Sequence, residues 1–168
     1  HYDEFINIIP YIQYPNAITS HFGYLERPQM FGGYINIANQ FSNIKPNVFC
    51  LSSGIEKVYN LMFNIPNENT YVTPNGVNIS KFKYTKTPTF GDRSIYLAKI
   101  DYRKRQHLFQ SIDSLYFAGN NADVNFNTNK NYLGEWSKEH LYENLTEYGN
   151  LVLLSDGEAH PLVCMEAL

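Results

Sequence analysis

The chain has 168 residues and a mass of 19.5 kDa, with 13 Lys and Arg against 16 Asp and Glu, a formal net charge of −3 and a pI near 5.9. That balance excludes a chain-wide positive field that would gather nucleic acid or anionic lipid. No apolar run approaches the roughly 18–20 residues of a membrane span, and 15% aromatic with 43% hydrophobic residues is far from a disordered composition.

Residues 5–10 and 11–15 read as short strands broken by Pro10 and Pro15. Gly32-Gly33 followed by residues 34–41 reads as a short helix or a loop. Asn47-Val48-Phe49-Cys50-Leu51 is a compact apolar run of buried-strand type. Ser52 and Ser53 then offer an N-cap for a helix over 54–63, in which Ile55, Val58, Tyr59 and Met62 fall at helical spacing. A strand at 71–73 leads to Pro74-Asn75-Gly76-Val77, a turn by its Pro and Asn-Gly content. Residues 79–91 are polar and aperiodic and read as a linker.

A second block opens with a strand at 94–98 and a helix over 104–112 with Leu108, Phe109 and Ile112 as its apolar positions. A strand at 115–118 closes on Gly119, an Asn-rich loop covers 120–131, and Tyr132-Leu133 reads as a short strand. Ser137 caps a helix over 138–148, residues 151–154 form a buried strand, and Pro161 opens a helix over 161–168. Strands alternating with helices in this order predict an α/β fold with Rossmann-like, doubly wound parallel sheets. Cys50 and Cys164 each sit in an apolar segment, which reads as buried free thiols rather than a disulfide. Twenty Asn make the glycosylation sequons at Asn78 and Asn144 unsurprising, and a cytoplasmic location is expected.

Three segments could carry chemistry. Ser155 through Glu166 leaves a strand at its carboxyl end and enters a helix, where open α/β sheets bind ligands. Glu158 and Glu166 are separated by seven intervening residues, and carboxylates accept hydrogen bonds from sugar or ribose hydroxyls. Spacing alone does not separate this from an ordinary strand–loop–helix with two solvated glutamates. The second segment, residues 98–106, concentrates Lys99, Arg103, Lys104 and Arg105 after a strand, suited to neutralising phosphate or simply to forming a solvated basic loop. It lacks the interleaved aromatics of a nucleic-acid surface, so no nucleic-acid partner is expected. The third is the Pro74–Phe82 stretch, where Gly76 permits positive φ and a close backbone approach, or makes a plain connecting turn. His1, His21, His107, His140 and His160 show no metal-ligand spacing, so no metal is expected.

Taken in order, these segments resemble retaining GT-B glycosyltransferases, especially the large family 4 type (glycosyl transferases group 1). Phe49-Cys50-Leu51-Ser52-Ser53 matches the serine-ended strand at the close of that family's N-terminal lobe. Thr73 through Phe82 matches its "I-P-N-G-V-D-x-x-x-F", and Ala98-Lys99-Ile100 with Lys104-Arg105-Gln106 matches "G-R-L-x-x-x-K-x-Q". Gly119, Leu133-Gly134 and the run from Ser155 to Ala167, matching "S-x-x-E-x-x-P-L-V-x-x-E-A", complete the series over residues 47–168. The family's glycine–arginine pair is Ala98-Lys99 here, which keeps the charge and loses the bidentate fork. Tyr11 through Pro15 is similar to a His-containing segment of some members, with Gln13 at the His position.

The resemblance implies a glycosyltransferase of hexosyltransferase type that moves a sugar from a nucleotide-diphosphate donor to an acceptor hydroxyl with retention. It implies no cofactor beyond that co-substrate, whose base is open, and no catalytic metal. The acceptor would be a sugar, a lipid-linked group or a protein; no basic amphipathic helix speaks for membrane contact. Lys99 and Lys104 would bind the diphosphate, and Glu158 would face the donor sugar as the catalytic carboxylate. Backbone around His160, Pro161, Leu162 and Val163 would meet the sugar or its phosphate, and Glu166 the ribose. Gly76 would lie in the interlobe cleft, with Glu135 and Trp136 near the base. Residues 1–78 would end the N-terminal acceptor lobe, 79–91 would link, and 92–168 would begin the C-terminal donor lobe, both lobes incomplete. The start at His1 and the uncapped run at Glu166-Ala167-Leu168 fit a fragment. The other reading is a non-catalytic nucleotide-sugar or glycan-binding module on a GT-B-derived fold.

Overall fold

A computed structural model describes Tyr11, Ala17–Ser20, residues 28–158 and residues 160–168. The strands expected within residues 5–15, with Gln13, His1 and His21, lie outside the described residues apart from Tyr11. The chain divides into two compact units, His1–Asn75 with Glu158–His160, and Gly76–Gly157 with Pro161–Leu168.

In the first unit the order is β1 (Ala17–Ser20), α1 (Gly33–Ile44), β2 (Asn47–Cys50), α2 (Ser53–Met62) and β3 (Thr70–Val72). The three strands are parallel in the order β1-β2-β3, with Ile18 opposite Val48 and Val48 opposite Thr70. Alternate residues turn inward, which buries Ile18, Val48 and Cys50. Against them α1 packs Ile37 and Phe41, and α2 packs Ile55 and Tyr59, joined by Phe63 and Ile65. Phe41, Tyr59 and Phe63 meet pairwise with ring centres 5.1–5.8 Å apart. The stretch left open as helix or loop is thus a twelve-residue helix, because its Ile37/Phe41 spacing makes a core face. The Ser52 hydroxyl accepts the Ile55 N–H at 3.3 Å, capping α2 as its sequence predicts. Cys50 is a buried free thiol, and burial, with Glu56 adding to it, pushes its pKa up to about 11. Cys164 forms no disulfide and is half-buried.

The second unit contains β4 (Phe90–Leu97), β5 (Leu115–Ala118), α3 (Lys138–Asn144), β6 (Tyr148–Leu151) and α4 (Leu162–Glu166). Its strands are parallel in the order β5-β4-β6. Both faces are covered, as a parallel sheet requires. Tyr96, Leu115 and Phe117 face one side, where Phe109 and Phe126 pack on them. Ile95, Leu97 and Ala118 face the other, beneath Leu141, Leu145 and Trp136. The connection from β4 to β5 covers one face, joined there by Phe126, while the α3 part of the connection from β5 to β6 covers the other, as in a doubly wound sheet.

Several elements differ from expectation. The helix expected over 104–112 is two 3-10 turns, Tyr102–Lys104 and Gln106–Phe109, separated by Arg105 at φ 61°. Leu108 and Ile112 are exposed, so their spacing was no core face, and the Asp101 carboxylate tightens the first turn by accepting the Lys104 N–H at 3.0 Å. The helix expected over 138–148 ends at Asn144, because Tyr148 already begins β6. The strand expected at 151–154 lies earlier, and Val152 and Leu153 pack on the core beyond its ladder. Tyr132 makes a single bridge to Phe117 in place of a strand. No turn forms at 74–77, which has no regular secondary structure. Residues 79–91 hold a 3-10 turn at Ile79–Lys81 and the start of β4. They are tied down at Glu147, whose carboxylate accepts the Thr85 hydroxyl at 3.0 Å and the Thr89 N–H at 3.0 Å and lies 3.5 Å from the Lys83 ammonium.

Candidate functional site

The strand order of the second unit selects a location. Chain connections leave β4 toward β5 on one side, while β6 lies on the other, so the order reverses at the β4/β6 pair. In open parallel sheets ligands bind outside the carboxyl ends of the strands at such a switch point. The segments leaving those two ends are residues 98–105 and 152–157, the basic segment and the start of the glutamate segment.

The structure joins these two segments. The Tyr96 hydroxyl, on fully buried Tyr96, donates to the Lys104 carbonyl at 2.6 Å and accepts the Leu154 N–H at 3.1 Å. Ser155 Oγ stands 3.3 Å from the same oxygen. The Asp156 N–H donates to the Arg103 carbonyl at 2.8 Å, and the Arg103 guanidinium to the Gly157 carbonyl at 2.7 Å. On the β5 side the backbone of Lys99 is also fixed. Gln106, wholly buried, donates from Nε2 to the Lys99 carbonyl at 3.0 Å. Gly119 lets β5 approach so closely that a Cβ there would stand 2.0 Å from the Ala98 carbonyl oxygen.

The residues singled out by sequence fall as follows. Lys99 is exposed and Lys104 half-buried, both in the second unit. Glu166 is half-buried on α4, and burial raises its pKa while Lys138 pulls the other way. It lines a cavity of about 420 Å³ together with Val77, Phe82, Tyr84 and Tyr148; neither Lys99 nor Lys104 lines that cavity. Pro161 is the N-cap of α4, Leu162 is exposed, and Val163 packs on the Ile95/Leu97 core. α4 has five residues, so it offers little helix dipole. Glu135 is exposed and accepts from the Asn120 amide at 3.2 Å. Trp136 packs on the core, edge-on to His140 at 4.7 Å between ring centres. Gly76 is exposed, its φ is not positive, and nothing lies within 4 Å of where its Cβ would be. The positive φ and close approach expected at Gly76 are therefore not used; Gly119 has both.

Glu158 and His160 group with the first unit, not with their chain neighbours. Glu158 is half-buried. His160 is held by Asn75, whose N–H donates to His160 Nδ1 at 3.3 Å and whose side-chain amide donates to the His160 carbonyl at 3.0 Å. An acceptor at Nδ1 places the ring proton of the neutral imidazole on Nε2. Sequence reasoning weighed Arg103 only as one of four basic residues suited to phosphate, and gave no role to Asn75, Tyr96 or Gln106. The only signal was their place inside or beside a motif, since their partners lie up to 85 residues away. Among the described residues no group of three or more His, Cys, Asp or Glu side chains could hold a metal ion, and no helix is long and apolar enough to cross a membrane.

No protein-family model matches the chain, and no curated protein matches it. Among solved structures the chain is similar to TarM, with a TM-score of 0.58 and 16% identity over 78% of this chain. It spans 29% of the TarM chain. TarM is a glycosyltransferase. At that identity the likeness concerns architecture: this chain has an α/β fold of GT-B type, with parallel strands in two sheets.

Proposed function

We propose that the chain is part of a glycosyltransferase that transfers a hexosyl group from a nucleotide-diphosphate sugar to an acceptor hydroxyl with retention of configuration. On this reading the second unit begins the donor lobe and the first unit ends the acceptor lobe. The observation that carries it is the joining of the basic segment to the glutamate segment at the switch point. The GT-B-type fold shared with TarM supports it.

In the reaction the acceptor hydroxyl oxygen bonds to the anomeric carbon as the bond from that carbon to the diphosphate oxygen breaks, and the hydroxyl proton passes to the departing diphosphate. Negative charge then grows on the departing diphosphate. Lys99 and Lys104 are the groups to stabilise it, without a metal, since a five-residue α4 led by a proline adds little. Glu166, with a carboxylate already unfavourably desolvated, gains from accepting ribose hydroxyls. Glu158 serves the donor sugar, and Glu135 and Trp136 stand toward the base.

The test is titration of the intact gene product with UDP-, GDP- and ADP-sugars by calorimetry. One of the three should bind with Kd below about 1 mM, a modest −4 kcal/mol. Glu166→Ala should weaken that binding about tenfold. No heat with any donor rejects the reading, and unchanged affinity in Glu166→Ala rejects the ribose role.

A further inference from the structure

We propose that Tyr96 is a positioning residue for the donor diphosphate, acting through Lys104. The inference rests on the reading above, that Lys104 meets the diphosphate.

Tyr96 sits on β4 with none of its surface exposed, its ring in the core 6.2 Å from that of Phe117. A buried tyrosine hydroxyl needs partners, and it has one hydrogen and two lone pairs to place. Its hydrogen goes to the Lys104 carbonyl at 2.6 Å, because a carbonyl can only accept. The Ser155 hydroxyl, 3.3 Å away, must then be the donor in its contact with Tyr96, and the Leu154 N–H at 3.1 Å supplies the second. All three valences are used, and they tie the segment after β4 to the segment after β6.

The consequence falls on one residue. The Lys104 N–H is held by Asp101 and its carbonyl by Tyr96, on a 3-10 turn that stops at the left-handed Arg105. The peptide units on both sides of the Lys104 Cα are thereby fixed, although the side chain leaves from a loop. A cation on a fixed stem is preorganised for a charge that develops opposite it, whereas one on a mobile loop must be ordered on binding. Phenylalanine would fill the same core space and preserve the ring contact. It would release the Lys104 carbonyl and the Leu154 N–H together.

The experiment is a double-mutant cycle on the intact gene product, with UDP, GDP and ADP as probes and Kd as the readout. For whichever nucleotide binds tightest, Tyr96→Phe should weaken binding about fivefold and Lys104→Ala about tenfold or more. In the Lys104→Ala background Tyr96→Phe should add less than about twofold, because residues acting through one another are not additive. Loss of general stability would instead weaken both backgrounds alike. Additive effects, or an unchanged Kd in Tyr96→Phe, overturn the proposal. Should Tyr96→Phe not fold, Ser155→Ala replaces it; the expectation is about twofold weakening that again vanishes beside Lys104→Ala, and an unchanged Kd overturns the proposal. Absence of binding to all three nucleotides by the unmutated protein is a different result, and rejects the glycosyltransferase reading itself.

Discussion

Replacing Gly119 by alanine tests the construction of the switch-point edge. A Cβ at this position would stand 2.0 Å from the Ala98 carbonyl oxygen and 2.7 Å from its carbon, where even a tight contact needs 3.0 Å. Strand β5 must therefore retreat from β4 by about 1 Å at its carboxyl end. Neighbouring hydrogen bonds cannot follow: Ala98 N–H to the Ala118 carbonyl is 3.0 Å and Ile100 N–H to the Asn120 carbonyl is 2.8 Å, and either stretched by that distance is broken. Two such bonds contribute about 2 kcal/mol. Forcing a side chain to the glycine's φ of 143° adds about 1–3 kcal/mol. The total, on the order of 3–5 kcal/mol, is a large part of a typical 5–15 kcal/mol. Trp136 is the single tryptophan of the chain and lies in the second unit, so its fluorescence in a urea titration reports this unit alone. Gly119→Ala should lower the midpoint by about 2 M. Gly76→Ala, with open space around it and no positive φ, is the control, with an expected change within about 0.5 kcal/mol. A Gly119→Ala chain as stable as the control would show that the two strand ends are not held together as described.

Glu147 should mark the acid limb of stability. Hydrogen bonds from the Thr89 hydroxyl and N–H, then the Thr85 hydroxyl, hold its pKa at about 2 against an ordinary 4.5. Its contribution is present above pH 4.5 and is lost as pH falls toward 2. Glu147→Gln should flatten the stability profile across that window, and a slope equal to the wild type would count against the network. Cys50, with a pKa of about 11, is roughly one part in a thousand thiolate at pH 8, so a disulfide reagent should titrate Cys164 in the native chain and Cys50 only on denaturation. Two native thiols reacting at one rate would contradict the burial of Cys50. Burial raises the folded-state pKa of Glu166, so its charge opposes folding once pH exceeds the unfolded value. Glu166→Gln should therefore leave stability at pH 7 unchanged or higher while weakening nucleotide binding, and a stability loss above about 1 kcal/mol would refute this placement.

Local patterns were legible where the periodicity came from a buried face. Residues 47–50 and 115–118 are strands because both alternate sets of side chains are apolar or small, and α2 starts at Ser53 because Ser52 can accept the Ile55 N–H. The same rule misled at 104–112, where Leu108 and Ile112 keep helical spacing yet point to solvent. Periodicity records apolar residues, not what lies opposite them. The glycines divide likewise: Gly76 and Gly119 look alike in sequence, and only the neighbouring carbonyl of Ala98 makes one of them obligatory.

By itself the sequence determined the alternation of strands and helices, the parallel α/β class and the two segments richest in charge, because each of these is written in residues close along the chain. Tertiary structure alone decided that the strand order is β5-β4-β6, and hence that the segments after β4 and β6 are neighbours. It also decided which side chains hold them there. Tyr96 reads as one more apolar residue of a strand until Lys104, Leu154 and Ser155, up to 59 residues away, arrive at its hydroxyl. A hydrogen bond across that separation leaves no mark on local composition, since either partner alone is an ordinary residue in an ordinary place.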